Sequence, residues 1–227
     1  PYPILYVLSD ILFFFVYYLT PYRKQVVFTN LRNSFPEKSA EEIEVIAKKF
    51  YGHLADLIVE SLKGFTISEK EVRKRFVCLN PEVADKYYAK GKSIILVGGH
   101  YNNWEMLAVG LDWQIKHASI AIYFPLTNKF MERIMKESRS RYGLRLISAS
   151  SVKDVFREEN DKKNLNVTIF GNDQSPANTT KCHWMTFLNQ DTPVLFGQEK
   201  YAKDYDYPVI YGRINKVKRG HYTFEMF

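Results

Sequence analysis

Hydrophobic and polar positions change their rhythm twice along the chain. Residues 4 to 19, "ILYVLSDILFFFVYYL", are apolar apart from Ser9 and Asp10. A spanning helix needs about 20 apolar residues, so the run falls just short. It lacks the basic start and the small-residue cleavage site of a signal peptide. Two readings fit it: part of a membrane-inserted or membrane-lying segment, or a buried core helix. Its tyrosine-rich end and the Arg23–Lys24 pair favour the membrane, because aromatic rings sit at headgroup level and cations meet anionic lipid.

From Ser39 the period becomes helical. "SAEE" is a capping box, Ser39 answered by Glu42. Ile43, Ile46, Phe50, Leu54, Leu57, Ile58 and Leu62 follow as one apolar stripe, predicting a long helix that stops near Gly64. Short helices are expected after Ser68 and over "NPEVADKYYAKG", where Asn80 would cap, Pro81 open the first turn and Gly91 close. Beyond residue 92 the rhythm changes again. "SIILV" (93–97), "IAIYF" (120–124), "LRLIS" (144–148) and "NVTIF" (166–170) are short apolar runs between helical stretches. Strands buried on both faces of a mostly parallel sheet read this way. "PVIYGRI" and "HYTFEMF" flank "NKVKRG" as a terminal hairpin.

The expected fold class is therefore α/β, a mostly parallel sheet flanked by helices. Residues 1–38 are expected to form an N-terminal membrane-associated helical segment and residues 39–227 one α/β domain, with both ends continuing in a longer protein. There is no internal repeat and no low-complexity linker.

Charge narrows the partners. A net charge of +7 suits nucleic acid, acidic lipid or an acidic carrier protein. Cys78 and Cys182 stand in unrelated contexts, which argues against a disulfide framework and for a reducing compartment. Cys182 and His183 are neighbours, but adjacent strand residues point to opposite faces, so they do not read as a nucleophile pair. His53, His117 and His221 read as structural or exposed. The histidines lack metal-ligand spacing, and "VGGH" lacks the third glycine of a dinucleotide fingerprint. Neither a metal nor a cofactor is expected.

One stretch combines several signals: "KSIILVGGHYNNWEML", residues 92 to 107. In open α/β sheets the ligand crevice lies beyond the carboxyl ends of the strands. His100 falls there, in a glycine-rich turn, with Glu105 five positions on. The next helix can begin with Asn102 as cap and Glu105 three positions later, which is a purely structural account of Glu105. The functional account adds that a turn followed by a helix lets the two side chains converge. The carboxylate would then fix the imidazole's tautomer and stabilise its charged form.

"GGHYNNWE" resembles the His-x4-Asp/Glu motif of membrane glycerolipid and lipid A acyltransferases. The resemblance to the lipid A late acyltransferase family, the lauroyl and myristoyl acyltransferases of Gram-negative bacteria, extends from "NLRNSFPEKSAEEIEVIAKKFYGHLADLIVES" through "SRSRYG" and "NDQSP" to "FLNQDTPVLFGQEKYAK". It implies a glycerolipid-acyltransferase-like fold and acyl transfer from acyl carrier protein to a lipid hydroxyl, without an acyl-enzyme. It also implies His100 as general base, Glu105 as its orienting acid, and a place at the cytoplasmic face of the bacterial inner membrane. Asn103, inside the motif, is a candidate substrate-binding residue. Arg139 and Arg141 match the family's arginine-rich stretch before a glycine, and guanidinium groups suit a phosphate or a thioester oxygen. A solvated face near a helix C-terminus explains them equally. Asp173 and Gln174 lie past the end of "NVTIF" and would line the crevice of His100, or would simply cap the "DQSP" turn. Ser175 stands where the family usually has a second acid.

Two other readings use the same residues. The chemistry could serve a glycerolipid, an aminolipid or a glycolipid. A basic α/β protein binding nucleic acid is a non-catalytic alternative, but the cations are scattered, no nucleic-acid motif is present, and the apolar N-terminus does not serve such a binder.

Overall fold

A computed structural model describes the chain except Pro21 and Ala177, with Lys181 described by its backbone alone. The described residues form two compact units, Pro1–Lys63 with His183–Pro193, and Gly64–Cys182 with Val194–Phe227.

The first unit opens with α1 (Tyr2–Phe14), continued by a π-helical turn over Phe15–Leu19. Tyr2–Leu19 is long and apolar enough to cross a membrane. Next come α2 (Lys24–Ser34) and α3 (Ala40–Gly64). The capping box at the start of α3 is made: Glu42 N–H donates to Ser39 Oγ at 3.2 Å, and Ser39 N–H to Glu42 Oε2 at 2.9 Å.

The stripe expected on α3 is buried only in part, with Ile46, Leu54 and Leu57 half-buried. Ile43, Ala47, Tyr51, Ala55 and Val59 are buried, whereas Phe50, Ile58 and Leu62 are exposed. The reason lies in how α1 meets it. Ser9 Oγ donates to Asp56 Oδ1 at 2.8 Å and Tyr6 OH to Glu60 Oε1 at 3.0 Å, with both carboxylates buried. Small residues and hydroxyl–carboxylate pairs fill this seam. Ile4, Val7, Leu8, Ile11, Phe14 and Phe15 are left outside.

The second unit is an α/β layer structure. Its strands are β1 (Phe76–Cys78), β2 (Ile94–Gly98), β3 (Ala118–Tyr123), β4 (Arg145–Ser148) and β5 (Asn166–Gly171). β6 (His183–Phe187) and β7 (Gln190–Val194), which up to Pro193 belong to the first unit, make a separate two-stranded sheet. β8 (Val209–Lys218) and β9 (His221–Met226) are the expected terminal hairpin. The main sheet runs β1-β9-β8-β2-β5-β3-β4, parallel throughout except for the β8–β9 pair.

The helices of this unit are α4 (Glu69–Arg75), α5 (Glu82–Tyr88), α6 (Trp104–Gly110), α7 (Lys129–Arg139), α8 (Val152–Asp161) and α9 (Gly197–Tyr205). Ile95, Ile120 and Ile147 from the sheet pack on Val152 and Phe156 of α8, with Tyr201 and Tyr205 of α9 alongside. Asn80 does not cap α5 as expected. Its side chain pairs both ways with the Met226 backbone, at 2.8 and 2.9 Å, and so extends the sheet edge.

Candidate active site

Strand register builds the site. β2 and β5 run parallel with Gly98 opposite Gly171, and Asn172 N–H donates to the Gly98 carbonyl at 3.0 Å. His100 and Asp173 each stand two residues past those paired glycines, so the register alone brings them together. The His100 ring bonds Asp173 Oδ1 through Nδ1 at 2.7 Å, and the His100 backbone N–H donates to Oδ2 at 2.7 Å.

A carboxylate only accepts, so the Nδ1 proton belongs to this bond and Nε2 is left as the basic nitrogen. Trp104 meets the ring edge to face, with centroids 5.2 Å apart. Two glycines are needed by close approach rather than by backbone angle. A Cβ on Gly171 would stand 2.9 Å from His100 Cε1, and one on Gly99 would stand 3.2 Å from the Asp173 carboxyl carbon. Burial acts to raise the Asp173 carboxyl, but hydrogen bonds from the His100 ring and backbone and the attraction of the ring's charge outweigh it. The group titrates below the ordinary aspartate range.

Glu105 is elsewhere. Arg139 holds it bidentately, Nε to Oε2 at 2.9 Å and Nη2 to Oε1 at 2.5 Å. The expectation that Glu105 meets His100 is therefore corrected: the carboxylate on the imidazole is Asp173. The cause is local. Helix α6 starts one residue later than expected, with Asn103 as its cap, Oδ1 accepting from Met106 N–H at 3.0 Å. Asn102 is instead a buried left-handed residue, φ 56°, whose amide donates to the Ile214 carbonyl at 2.7 Å. That extra turn aims Glu105 at α7.

His100 and Arg139 line one cavity of about 300 Å³, together with Gln174. Its remaining walls are mostly apolar, among them Leu96, Leu107, Ala108, Leu146 and Phe224. The other expected site residues lie off its walls. Asn103 is buried in its capping role. Arg141 donates to the carbonyls of Phe65, at 2.5 Å, and Ile67, at 3.3 Å. Cys182 Sγ donates to the Thr179 carbonyl at 2.9 Å, and His183 beside it is exposed. Among the described residues no group of three or more His, Cys, Asp or Glu could hold a metal ion.

The arrangement sets an oriented imidazole and a clamped guanidinium in the lining of one apolar slot. It suits the removal of a proton from a polar group held beside a hydrocarbon chain. The His100–Asp173 contact was missed in the sequence. Its one signal, two polar residues at equal distance past two strand-ending glycines, carries meaning only once those strands are known to be neighbours.

A family model described as bacterial lipid A biosynthesis acyltransferase matches residues 1–227, the full chain. Among curated proteins the comparison finds no match.

Proposed function

The chain belongs to the bacterial lipid A biosynthesis acyltransferase family, an enzyme family that transfers acyl groups; from that premise we propose that His100 is the general base of transfer from acyl carrier protein to a lipid A precursor. The observation that carries the proposal is the His100 imidazole, held through Nδ1 by Asp173 at 2.7 Å and standing in the wall of an apolar cavity.

The acceptor hydroxyl gives its proton to His100 Nε2 while its oxygen attacks the thioester carbonyl carbon. Asp173 keeps the ring in the productive tautomer and stabilises the imidazolium. The tetrahedral intermediate then breaks its C–S bond. The carrier thiolate takes the proton back from Nε2, which restores the base. Arg139, clamped by Glu105, offers its remaining N–H groups to the thioester oxygen or to a lipid phosphate. Gln174 contributes a further polar contact in the same slot. The acyl chain lies among the apolar walls.

The exposed apolar side of α1, followed by Arg23 and Lys24, supports attachment at the cytoplasmic face of the inner membrane. The net charge of +7 suits both an acidic carrier protein and lipid phosphates.

The test offers detergent-solubilised protein acyl-acyl carrier protein together with lipid A precursors and glycerolipids side by side. Transfer is expected to the lipid A precursor, and His100→Ala is expected to lower it at least about 10³-fold. Equal transfer by His100→Ala would remove the base assignment. A preference for glycerolipid would reassign the acceptor.

A further inference from the structure

We infer that the hairpin of β6 and β7 is a second membrane-contacting element, which lays its aromatic and aliphatic side chains into an anionic lipid surface. All five β6 residues are exposed. Strand side chains alternate between faces, so both faces of β6 are open, while β7 is half-buried apart from the exposed Asp191. Trp184 is 53% exposed, Met185 44%, Phe187 55% and Leu188, in the turn, 46%. A two-stranded ribbon is marginal by itself in water. A large exposed apolar patch marks an interaction surface.

The turn reinforces this. Leu188 and Asn189 are both left-handed, with φ of 51° and 60°, the geometry of a primed hairpin turn. A leucine there is strained, and the strain holds an apolar side chain out at the tip.

Neighbouring residues identify the occupant. Asn33 Nδ2 donates to Gln190 Oε1, and Asn189 Nδ2 to the Asn33 carbonyl, each at 3.2 Å, so the turn is tied to the end of α2. The chain leading into and through α2, residues 11–36, contains no aspartate or glutamate and carries Arg23, Lys24 and Arg32. It also exposes Phe14, Phe15, Tyr18, Leu19 and Tyr22. Residues 174–190, leading into and through the hairpin turn, likewise contain no aspartate or glutamate, and Asp191 is the one carboxylate of the hairpin itself. Cations with few carboxylates, interleaved with aromatic and aliphatic side chains, suit an anionic bilayer surface. An acidic protein would also attract the cations, but a bilayer interface takes up the exposed aromatic and aliphatic side chains as well. The inference leans on the membrane reading of α1 and α2 for its setting, while the hairpin's own side chains carry it.

The probe is the whole protein with vesicles containing phosphatidylglycerol, their acyl chains brominated to quench nearby tryptophan. The chain has three tryptophans, so the difference between wild type and Trp184→Phe isolates Trp184. We expect vesicle binding to quench the Trp184 contribution. Replacing Trp184 and Phe187 together by serine should weaken binding roughly tenfold, with circular dichroism confirming an intact fold. Protein that sediments with vesicles while Trp184 stays unquenched would overturn the hairpin proposal and leave α1 as the anchor. Absence of sedimentation altogether would overturn both. A Trp184 spectral change on adding acyl carrier protein without vesicles would assign the hairpin to the donor instead. Concentration-dependent self-association abolished by Trp184→Ser would assign it to a second copy.

Discussion

Replacing Asp173 by asparagine separates its charge from its shape. The two carboxylate oxygens serve the His100 ring and the His100 backbone at once. An amide keeps only one acceptor, so if its oxygen stays on the backbone N–H, its NH₂ faces Nδ1 and pushes the proton to Nε2. The base is then blocked. For Asp173→Asn we expect kcat to fall about 10²- to 10⁴-fold with KM little changed. Glu105→Gln breaks the clamp on Arg139 and leaves the imidazole contact in place. Its kcat/KM should fall, with the pH dependence of kcat as in the wild type. Steady-state rates across pH for the two variants decide this, and an equal displacement of both profiles would make Glu105 a partner of the base after all.

At the scale of elements, packing overrules periodicity where buried polar pairs form. α3 hides two alanines and two carboxylates alongside Ile43, Tyr51 and Val59 and leaves Phe50, Ile58 and Leu62 outside, and Ser9 and Tyr6 on α1 supply the donors to the two carboxylates. His117 is a second buried polar tie. Its Nε2–H donates at 2.9 Å to the Lys92 carbonyl, joining the residues just before β2 and β3. Burial holds His117 below the ordinary histidine range, and His221 is lowered too, by burial first and then by Arg75. With folded pKa values depressed, the unfolded chain binds more protons as pH falls through about 6.5. Stability is therefore complete above that value and declines below it. The urea midpoint should drop from pH 8 to pH 5, and His117→Gln should flatten the drop. A midpoint that fails to change over this interval would contradict the assignment.

At the scale of the molecule, the unit that carries His100 is a sheet whose strand ends and covering helices line an apolar slot. Ala108 on α6 stands in its wall. Enlarging that residue shortens the space for the acyl chain. Ala108→Phe is expected to shift donor preference towards shorter acyl chains, lowering kcat/KM for the longest accepted donor roughly 10- to 100-fold. Competition between donors of different length measures it. An unchanged length profile would place the acyl chain outside the cavity.

By itself the sequence determined a good deal. Short apolar runs fixed four of the parallel strands, because a strand covered on both faces needs apolar residues at every position. The Ser39–Glu42 box fixed the start of α3, since capping is a contact between residues three apart. The location of His100 past a strand's carboxyl end, and the order of motifs matching the family, were also legible. Tertiary structure decided the rest. Which carboxylate meets His100 depends on β2 and β5 being neighbours in register, a pairing across 73 residues that local pattern does not encode. Where Glu105 points depends on the left-handed turn at Asn102, held by a hydrogen bond to Ile214 on β8. The buried side of α3 depends on what α1 presents to it. Contacts within one helical turn are written in the local sequence, and contacts between distant segments exist only once the chain has closed.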